Sequence, residues 1–234
     1  MKQRDPNMLV VELVAAALGD LREELVLVGG CSVGLLITDK ARPQVRQTID
    51  VDLVAEATSL ADYYTLSTRL GQCGFGQSAD ADHVCRWRKG ALLIDVMPSD
   101  ESALGHSSNR WFSQVVRDAR PHVLNSGLVI LLISPPLFLA TKLDAFYGRA
   151  DRAGGDYAHH DMEDIINVID GRPEIAGEVT AAADDVREFL RSEFDDLLAD
   201  ESFADEVPKH LRPDSASQAR VPIVIDRIRR LAGL

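Results

Sequence analysis

Residues 46–54 read RQTIDVDLV, and this stretch carries the strongest indication of the fold. From Thr48 to Val54 polar and apolar side chains alternate, which is typical of a half-buried β-strand. Asp50 and Asp52 both belong to the polar set, so a strand would place them on one face, about 6.5 to 7 Å apart. Two carboxylates in that arrangement can converge on one cation or on a close pair of metal ions. The stretch therefore predicts a strand that carries an acidic metal-binding pair.

The segments around this strand predict an α/β region followed by a helical one. Leu25–Val28 is a short apolar run that stops at Gly29-Gly30, which predicts a buried strand entering a tight turn and then a helix. The further predicted elements are an N-terminal amphipathic helix, a helix over 59–73 capped by Ser59, strands over 83–88 and 91–97 joined at Lys89-Gly90, and a strand over 127–133. Only helices are expected after that point. We therefore predict one domain over residues 1–134 and a helical domain over 135–234.

Two further features suggest phosphate chemistry. Asp95 interrupts the apolar run LLIDVM, where a buried aspartate needs a partner or a metal, unless it reaches solvent at a strand end. Mg²⁺ takes oxygen ligands and usually binds through one or two carboxylates plus substrate phosphates. The turn at Gly29-Gly30, with Ser32 after it, offers close backbone approach and free N–H groups at a helix N-terminus, although many such turns serve geometry alone. A second acidic pair, Asp80 and Asp82, lies in a turn-like stretch and is expected to be a loop.

Composition excludes several classes of protein. The net charge is −12, which counts against a broad cationic surface for nucleic acid. Three cysteines without C-x-x-C spacing argue against a disulfide framework and a thiolate zinc site, and a reducing cytoplasm is the simplest setting. The adjacent His159-His160 is expected to be a surface pair. Because no stretch approaches about 18 uninterrupted apolar residues, no membrane span or membrane partner is expected.

Together the Gly-Gly turn, the Asp-x-Asp strand and the later Asp95 resemble the nucleotidyltransferases of the polymerase-beta superfamily. The run from Arg46 to Leu53 has an Arg-x-Thr-x-Asp-x-Asp form, similar to the AbiE-type (AbiEii) toxins of type IV toxin–antitoxin systems. The resemblance implies a polymerase-beta-like mixed sheet in a catalytic domain over 1–134, with Asp50, Asp52 and Asp95 holding Mg²⁺ or Mn²⁺. Gly29, Gly30, Ser32 and Thr48 would contact the nucleotide.

The second half of the chain extends the resemblance. The family follows its sheet with a helix bearing a lysine, then an arginine, then Asp-x-x-Asp, which correspond here to Lys142, Arg149, Asp161 and Asp164. Lys142 and Arg149 would bind the nucleotide and Asp161 would be a further active-site acid, so the helical domain would complete the nucleotide and acceptor site. From the residues alone, Lys142 could equally be a surface lysine and Asp161 a helix N-cap.

The expected function is a metal-dependent nucleotidyltransferase that moves NMP from an NTP to an acceptor and releases pyrophosphate. By the resemblance, the acceptor is RNA, particularly tRNA, and a cognate antitoxin protein is an expected partner. One alternative is transfer to a small cationic molecule such as an aminoglycoside, which an acidic protein attracts. Another is a catalytically silent relative that binds nucleotide or protein, with the acidic segment 178–206 as its interface.

Overall fold

The computed structural model describes residues 5–39, 41, 45–78, 84–104, 109–153 and 160–234, without the side chains of 101 and 149–153. The contacts divide the chain into two compact units. Unit 1 comprises Met1–Gly34 and Arg46–Ser134, and unit 2 comprises Leu35–Val45 and Pro135–Leu234. The sequence-based division after residue 134 stays a prediction about domains; the structural division adds the short segment Leu35–Val45 to the helical unit.

Unit 1 is built on a mixed β-sheet, which has seven strands within the described residues. The strands are β1 Leu25–Leu27, β2 Val51–Ala55, β3 Gly76–Gln77, β4 Arg86–Lys89, β5 Leu92–Pro98, β6 Arg120–Val123 and β7 Val129–Leu132. Their order across the sheet is β3-β4-β5-β2-β1-β7-β6. The pairs β2–β5 and β1–β7 are parallel, and the other neighbouring pairs are antiparallel. The two central strands, β2 and β1, are thus each flanked by one parallel and one antiparallel neighbour.

The helices fall into two groups along the chain. Those that begin before residue 134 are α1 Met8–Leu18, α2 Gly29–Leu36, α3 Leu60–Gln72 and α4 Phe112–Asp118. Those after it are α5 Pro135–Ala153, α6 His160–Gly171, α7 Ile175–Thr180, α8 Asp184–Ala199, α9 Phe203–Glu206, α10 Ser215–Gln218 and α11 Val221–Ala232. No described residue after 134 lies in a strand, so the predicted fold class, an α/β mixed sheet followed by a helical region, is confirmed.

The local signals explain several of these elements. The Ser59 hydroxyl caps α3 by accepting a hydrogen bond from the backbone N–H of Asp62, as predicted. Gly90 turns the β4–β5 hairpin with φ +59°, a value that glycine adopts without steric cost. Helix α4 and the two edge strands β3 and β6 were not predicted: β3 has only two residues, and the Arg-Pro-His-Val sequence of β6 lacks the alternation of a half-buried strand. Proline is compatible with such an edge position because its missing N–H can face away from the sheet.

Each unit has its own apolar core. In unit 1 the sheet and helices bury side chains that have no exposed surface, among them Val26, Val54, Leu70, Ile94, Val96 and Val115. In unit 2 the corresponding side chains come from α5, α6, α8 and α11 and include Leu139, Leu143, Ile165, Leu190, Phe194 and Ile228. Helix α8 lies in the acidic segment, yet Val186, Leu190, Phe194 and Leu197 form a buried stripe at helical spacing. Within the described ranges, no helix is long and apolar enough to cross a membrane.

Candidate active site

Three charged residues form a row across neighbouring strands of unit 1. Asp52 on β2 pairs with Asp95 on β5, and Asp95 pairs with Arg86 on β4. Side chains of directly paired residues lie on the same face of a sheet, with Cβ atoms about 4.5 to 5.5 Å apart. The residues on either side of Asp52 and Asp95, such as Val51, Leu53, Ile94 and Val96, are buried on the other face. The alternation therefore puts apolar groups into the core and the charged row on the opposite face.

Arg86 joins two of the carboxylates predicted to hold metal. Its Nε and Nη2 donate to the two carboxylate oxygens of Asp95 at 2.8 and 2.7 Å, and Nη2 also donates to Asp50 Oδ2 at 3.0 Å. The hydrogen bond to Asp95 raises the pKa of Arg86 above its ordinary value, with burial opposing it, so the guanidinium stays charged. Asp95 is therefore explained by an ion pair in mid-strand, rather than by a strand end that reaches solvent.

The glycine turn after β1 lies against Asp52. Gly29 has φ +64°, and a Cβ added to it would lie 1.9 Å from Asp52 Oδ2 and 2.7 Å from Asp52 Cβ. The backbone N–H of Val28 donates to the Asp52 carbonyl oxygen at 3.0 Å. Only a residue without a side chain allows this close approach. The turn that sequence analysis assigned to phosphates is thus in direct contact with a predicted metal ligand.

The segment before β2 is held by a buried asparagine rather than by a neighbouring strand. Asn7, with no exposed surface, donates to the Arg46 carbonyl oxygen at 2.9 Å and accepts from the Thr48 N–H at 3.0 Å. The Thr48 hydroxyl donates to the Asp50 carbonyl oxygen at 3.0 Å. The strand expected from Thr48 therefore begins only at Val51, and Asp50 lies just before it. Asp50 nevertheless reaches the same arginine as Asp95.

The side chains of the turn itself are committed to internal contacts. Ser32 is fully buried, and its hydroxyl donates to the Gly29 carbonyl oxygen at 2.7 Å. Cys31 is also fully buried, with Sγ 3.0 Å from Thr48 Oγ1, and burial raises its pKa to about 12. The contribution available to a phosphate at this turn is consequently the backbone N–H groups of the first turn of α2.

Hard divalent cations such as Mg²⁺ prefer oxygen ligands, and Asp50, Asp52 and Asp95 supply carboxylate oxygens. Three carboxylates and one guanidinium leave the cluster with two excess negative charges, which one divalent ion would neutralise. Asp50 and Asp95 bond to Arg86 instead, and within the described ranges no group of three His, Cys, Asp or Glu side chains already surrounds a metal position. Metal binding by this set therefore requires a rearrangement of the contacts to Arg86.

Unit 2 contains a second charged cluster. Lys142 on α5 donates to Asp161 Oδ1 at 3.0 Å and to Asp164 Oδ2 at 2.7 Å, both in the first turns of α6. The three side chains are 12%, 4% and 3% exposed. Burial by itself lowers the pKa of Lys142, but the charges of Asp164 and Asp161 raise it above its ordinary value. Lys142 is thus not a surface lysine, and Asp161 lies inside α6, which begins at His160, rather than at its N-cap.

Local sequence patterns marked the three carboxylates and the glycine turn, but not Arg86 or Asn7. The predicted hairpin, with Lys89-Gly90 as its loop, would pair Arg86 with Leu93. In the structure Gly90-Ala91 is the loop and Lys89 pairs with Leu92, which pairs Arg86 with Asp95. No local pattern marks Asn7. Arg149 lies on α5, but its side chain is outside the described residues, as are Asp80, Asp82 and His159.

Comparison with known proteins rests on structure alone. No family model and no curated protein sequence matches this chain. A solved structure of an antigenic nucleotidyltransferase-like protein from Paracoccidioides brasiliensis matches with a TM-score of 0.53 and 20% identity, over 91% of this chain and 96% of that one. The antibiotic-resistance factor ANT(2'')-Ia matches with a TM-score of 0.46 and 15% identity, over 82% of this chain and 92% of that one. The chain accordingly has a fold similar to that of the nucleotidyltransferase-like protein from Paracoccidioides brasiliensis. In this chain the sheet carries the charged row.

Proposed function

We propose that this protein is a metal-dependent nucleotidyltransferase that moves NMP from an NTP to an acceptor hydroxyl and releases pyrophosphate. The observation that carries the proposal is the charged row, in which Asp52 and Asp95 are paired across β2 and β5 and Asp50 joins them through Arg86. A nucleotidyltransferase-like fold and a glycine turn pressed against Asp52 support it.

In this proposal Asp50, Asp52 and Asp95 hold Mg²⁺ or Mn²⁺. When bound, the metal neutralises charge on the triphosphate and lowers the pKa of the acceptor hydroxyl. The acceptor oxygen forms a bond to the α-phosphorus, the bond from the α-phosphorus to the pyrophosphate oxygen breaks, and the hydroxyl proton leaves to a base. Asp95 lies on the hydroxyl side, as ligand or as that base.

The other role of the protein in this reaction is to position the phosphates and the carboxylates. Backbone N–H groups at Gly29-Gly30 and the start of α2 bind phosphate oxygens, and the missing side chain of Gly29 keeps Asp52 close to them. Catalysis of phosphoryl transfer depends mainly on such placement and on electrostatic stabilisation. For Thr48, Lys142, Arg149 and Asp161, a role in nucleotide binding or catalysis stays a prediction from the family resemblance.

The proposed acceptor is RNA, with tRNA the favoured class, in a toxin-like enzyme that acts in the cytoplasm and is neutralised by a cognate antitoxin. This finer assignment rests on the Arg-x-Thr-x-Asp-x-Asp run from Arg46 to Asp52 and its resemblance to AbiE-type toxins.

The test is a labelling experiment with purified protein, Mg²⁺, each labelled NTP in turn and total bacterial RNA, resolved on a denaturing gel. We expect label in a tRNA-sized band with the wild-type protein and none with Asp50→Asn/Asp52→Asn. Arg88→Gln is the matched control, since it changes an exposed side chain on β4 outside the row.

The other outcomes identify the alternatives. Label that stays out of RNA, while pyrophosphate is released when an aminoglycoside is supplied, would assign the protein to small-molecule modification; its net charge of −12 favours a cationic acceptor. No pyrophosphate with any acceptor, together with NTP binding that tolerates EDTA, would contradict catalysis and favour a nucleotide-binding protein.

A further inference from the structure

Arg86 bonds to two of the carboxylates that the proposed function assigns to the metal. Both Asp95 oxygens accept from Arg86, and so does Asp50 Oδ2. A two-pronged arginine–carboxylate contact of this kind is among the stronger charge-assisted hydrogen bonds. A divalent cation ligated by Asp95 has to use an oxygen that already accepts from Arg86, and a cation bound to Asp50 Oδ2 meets the same guanidinium. Arg86 therefore cannot keep all of its hydrogen bonds to these carboxylates while the same oxygen atoms ligate a metal.

The surroundings show that Arg86 is held in this position by the sheet. It belongs to the cross-strand pair Arg86–Asp95, and its side chain is 20% exposed, compared with 18% for Asp95 and 31% for Asp50. Partly buried carboxylates that face one another repel unless a cation lies between them. In the structure that cation is a side chain of the neighbouring strand.

We infer that Arg86 is a built-in competitor for the metal: its single positive charge offsets part of the negative charge of Asp50 and Asp95 before metal binds, and the metal must displace it from the oxygens that it occupies. The inference rests on the proposed function, because it takes these carboxylates as the metal ligands. Arg86 thereby weakens the apparent metal affinity while it reduces the repulsion between the carboxylates in the metal-free protein. Arg86 is a positioning residue in this scheme, since it acts through the carboxylates.

Arg88 provides the matched control. It lies two residues further along β4, so the strand period places it on the same face as Arg86, but it is exposed and pairs with Leu93 instead of Asp95. Removing either arginine changes the net charge equally. Only the removal of Arg86 frees carboxylate oxygens.

The experiment is a titration with Mn²⁺ alone, in which free aqueous Mn²⁺ is followed by electron paramagnetic resonance, on the wild-type chain and single variants. We expect Arg86→Gln to bind Mn²⁺ about tenfold more tightly than the wild type, which corresponds to about 1.4 kcal/mol. Arg88→Gln should stay within about twofold of the wild type, a small screened charge effect. Arg86→Lys should fall between them, because it keeps the charge but lacks the fork of donors.

A second measurement, the melting temperature, identifies a variant that is misfolded. Each variant is melted with and without Mn²⁺, and Arg86→Gln should gain more in melting temperature from the same Mn²⁺ concentration than the wild type, since tighter binding stabilises the folded state more. An Arg86→Gln variant that unfolds cooperatively and binds Mn²⁺ no more tightly than the wild type would overturn the inference. An Arg88→Gln variant that gains as much affinity would do so too, because the effect would then be one of net charge.

The outcome for Asp52→Asn separates this inference from the proposed function. If Asp52→Asn abolishes Mn²⁺ binding and Arg86→Gln leaves the affinity unchanged, only the competition is wrong. If Asp52→Asn binds Mn²⁺ as the wild type does, the proposed metal site itself is wrong and the inference fails with it.

Discussion

Replacement of Gly29 by alanine tests whether the glycine turn positions Asp52. The new Cβ would lie 1.9 Å from Asp52 Oδ2, 2.6 Å from Cγ and 2.7 Å from Cβ. Non-bonded carbon contacts shorter than about 3.0 Å do not persist in packed proteins, so the carboxylate oxygen has to move by at least about 1.1 Å. Rotation of the Asp52 side chain cannot relieve the contact completely, because its Cβ is also too close. The backbone of the turn or of β2 must shift as well.

This displacement is large compared with what a metal site tolerates. Mg²⁺ requires near-octahedral ligands at about 2.0 to 2.1 Å, and a misplacement of about 1 Å at a reacting centre can cost about 100-fold in rate. We therefore expect Gly29→Ala to lower nucleotidyl transfer by about 100-fold and to weaken Mn²⁺ binding. The positive φ of +64° adds about 1 to 2 kcal/mol of backbone strain to the stability loss.

The control for this strain is Gly90→Ala at the β4–β5 turn. Gly90 has φ +59°, and a Cβ there would meet no atom within 4 Å. Both variants should lose stability in urea titrations, with Gly29→Ala losing more, but only Gly29→Ala should lose Mn²⁺ affinity. If Gly29→Ala matched Gly90→Ala in stability and the wild type in Mn²⁺ affinity, the reasoning from close approach would be refuted.

Three further predictions concern single positions. Asp52→Asn should abolish transfer with a melting temperature within about 3 °C of the wild type, measured by calorimetry, and retained turnover would exclude it as a metal ligand. Lys142→Met should lower the free energy of unfolding at pH 7 by about 3 kcal/mol, because two buried carboxylates lose their cation. A Lys142→Met variant that is as stable as the wild type in urea titrations at pH 7 would contradict the charge argument. Burial raises the pKa of Cys31 to about 12, whereas an unfolded thiol titrates near about 8.5. The contribution of the buried neutral thiol to stability is therefore complete below about pH 8.5 and decreases above it, by up to about 1.4 kcal/mol per pH unit. Between pH 8 and pH 10 the free energy of unfolding of Cys31→Ala should consequently fall by less than that of the wild type.

Much of the sheet could be predicted because its strands have strong local patterns. Apolar runs and alternation located β1, β2, β5 and β7, and the turn at Lys89-Gly90 located the hairpin. The exact start of β2 could not be predicted, since the N–H of Thr48 and the carbonyl of Arg46 bond to Asn7, a residue about forty positions earlier in the chain. The edge strand β6 escaped prediction because its side chains are not divided into a buried and an exposed face.

The sequence by itself determined the candidate carboxylates of the site, because Asp52 and Asp95 interrupt apolar strands where a charged group needs a partner and Asp50 directly precedes one of these strands. It also determined the position of the glycine turn. Only the tertiary structure decided what the partners are. Cross-strand register brings Arg86 to Asp95, and the packing of α5 against α6 brings Lys142 to Asp161 and Asp164. Such pairings depend on which strands and helices become neighbours, and that choice is made by the burial of the apolar faces, which a local pattern of charges does not contain.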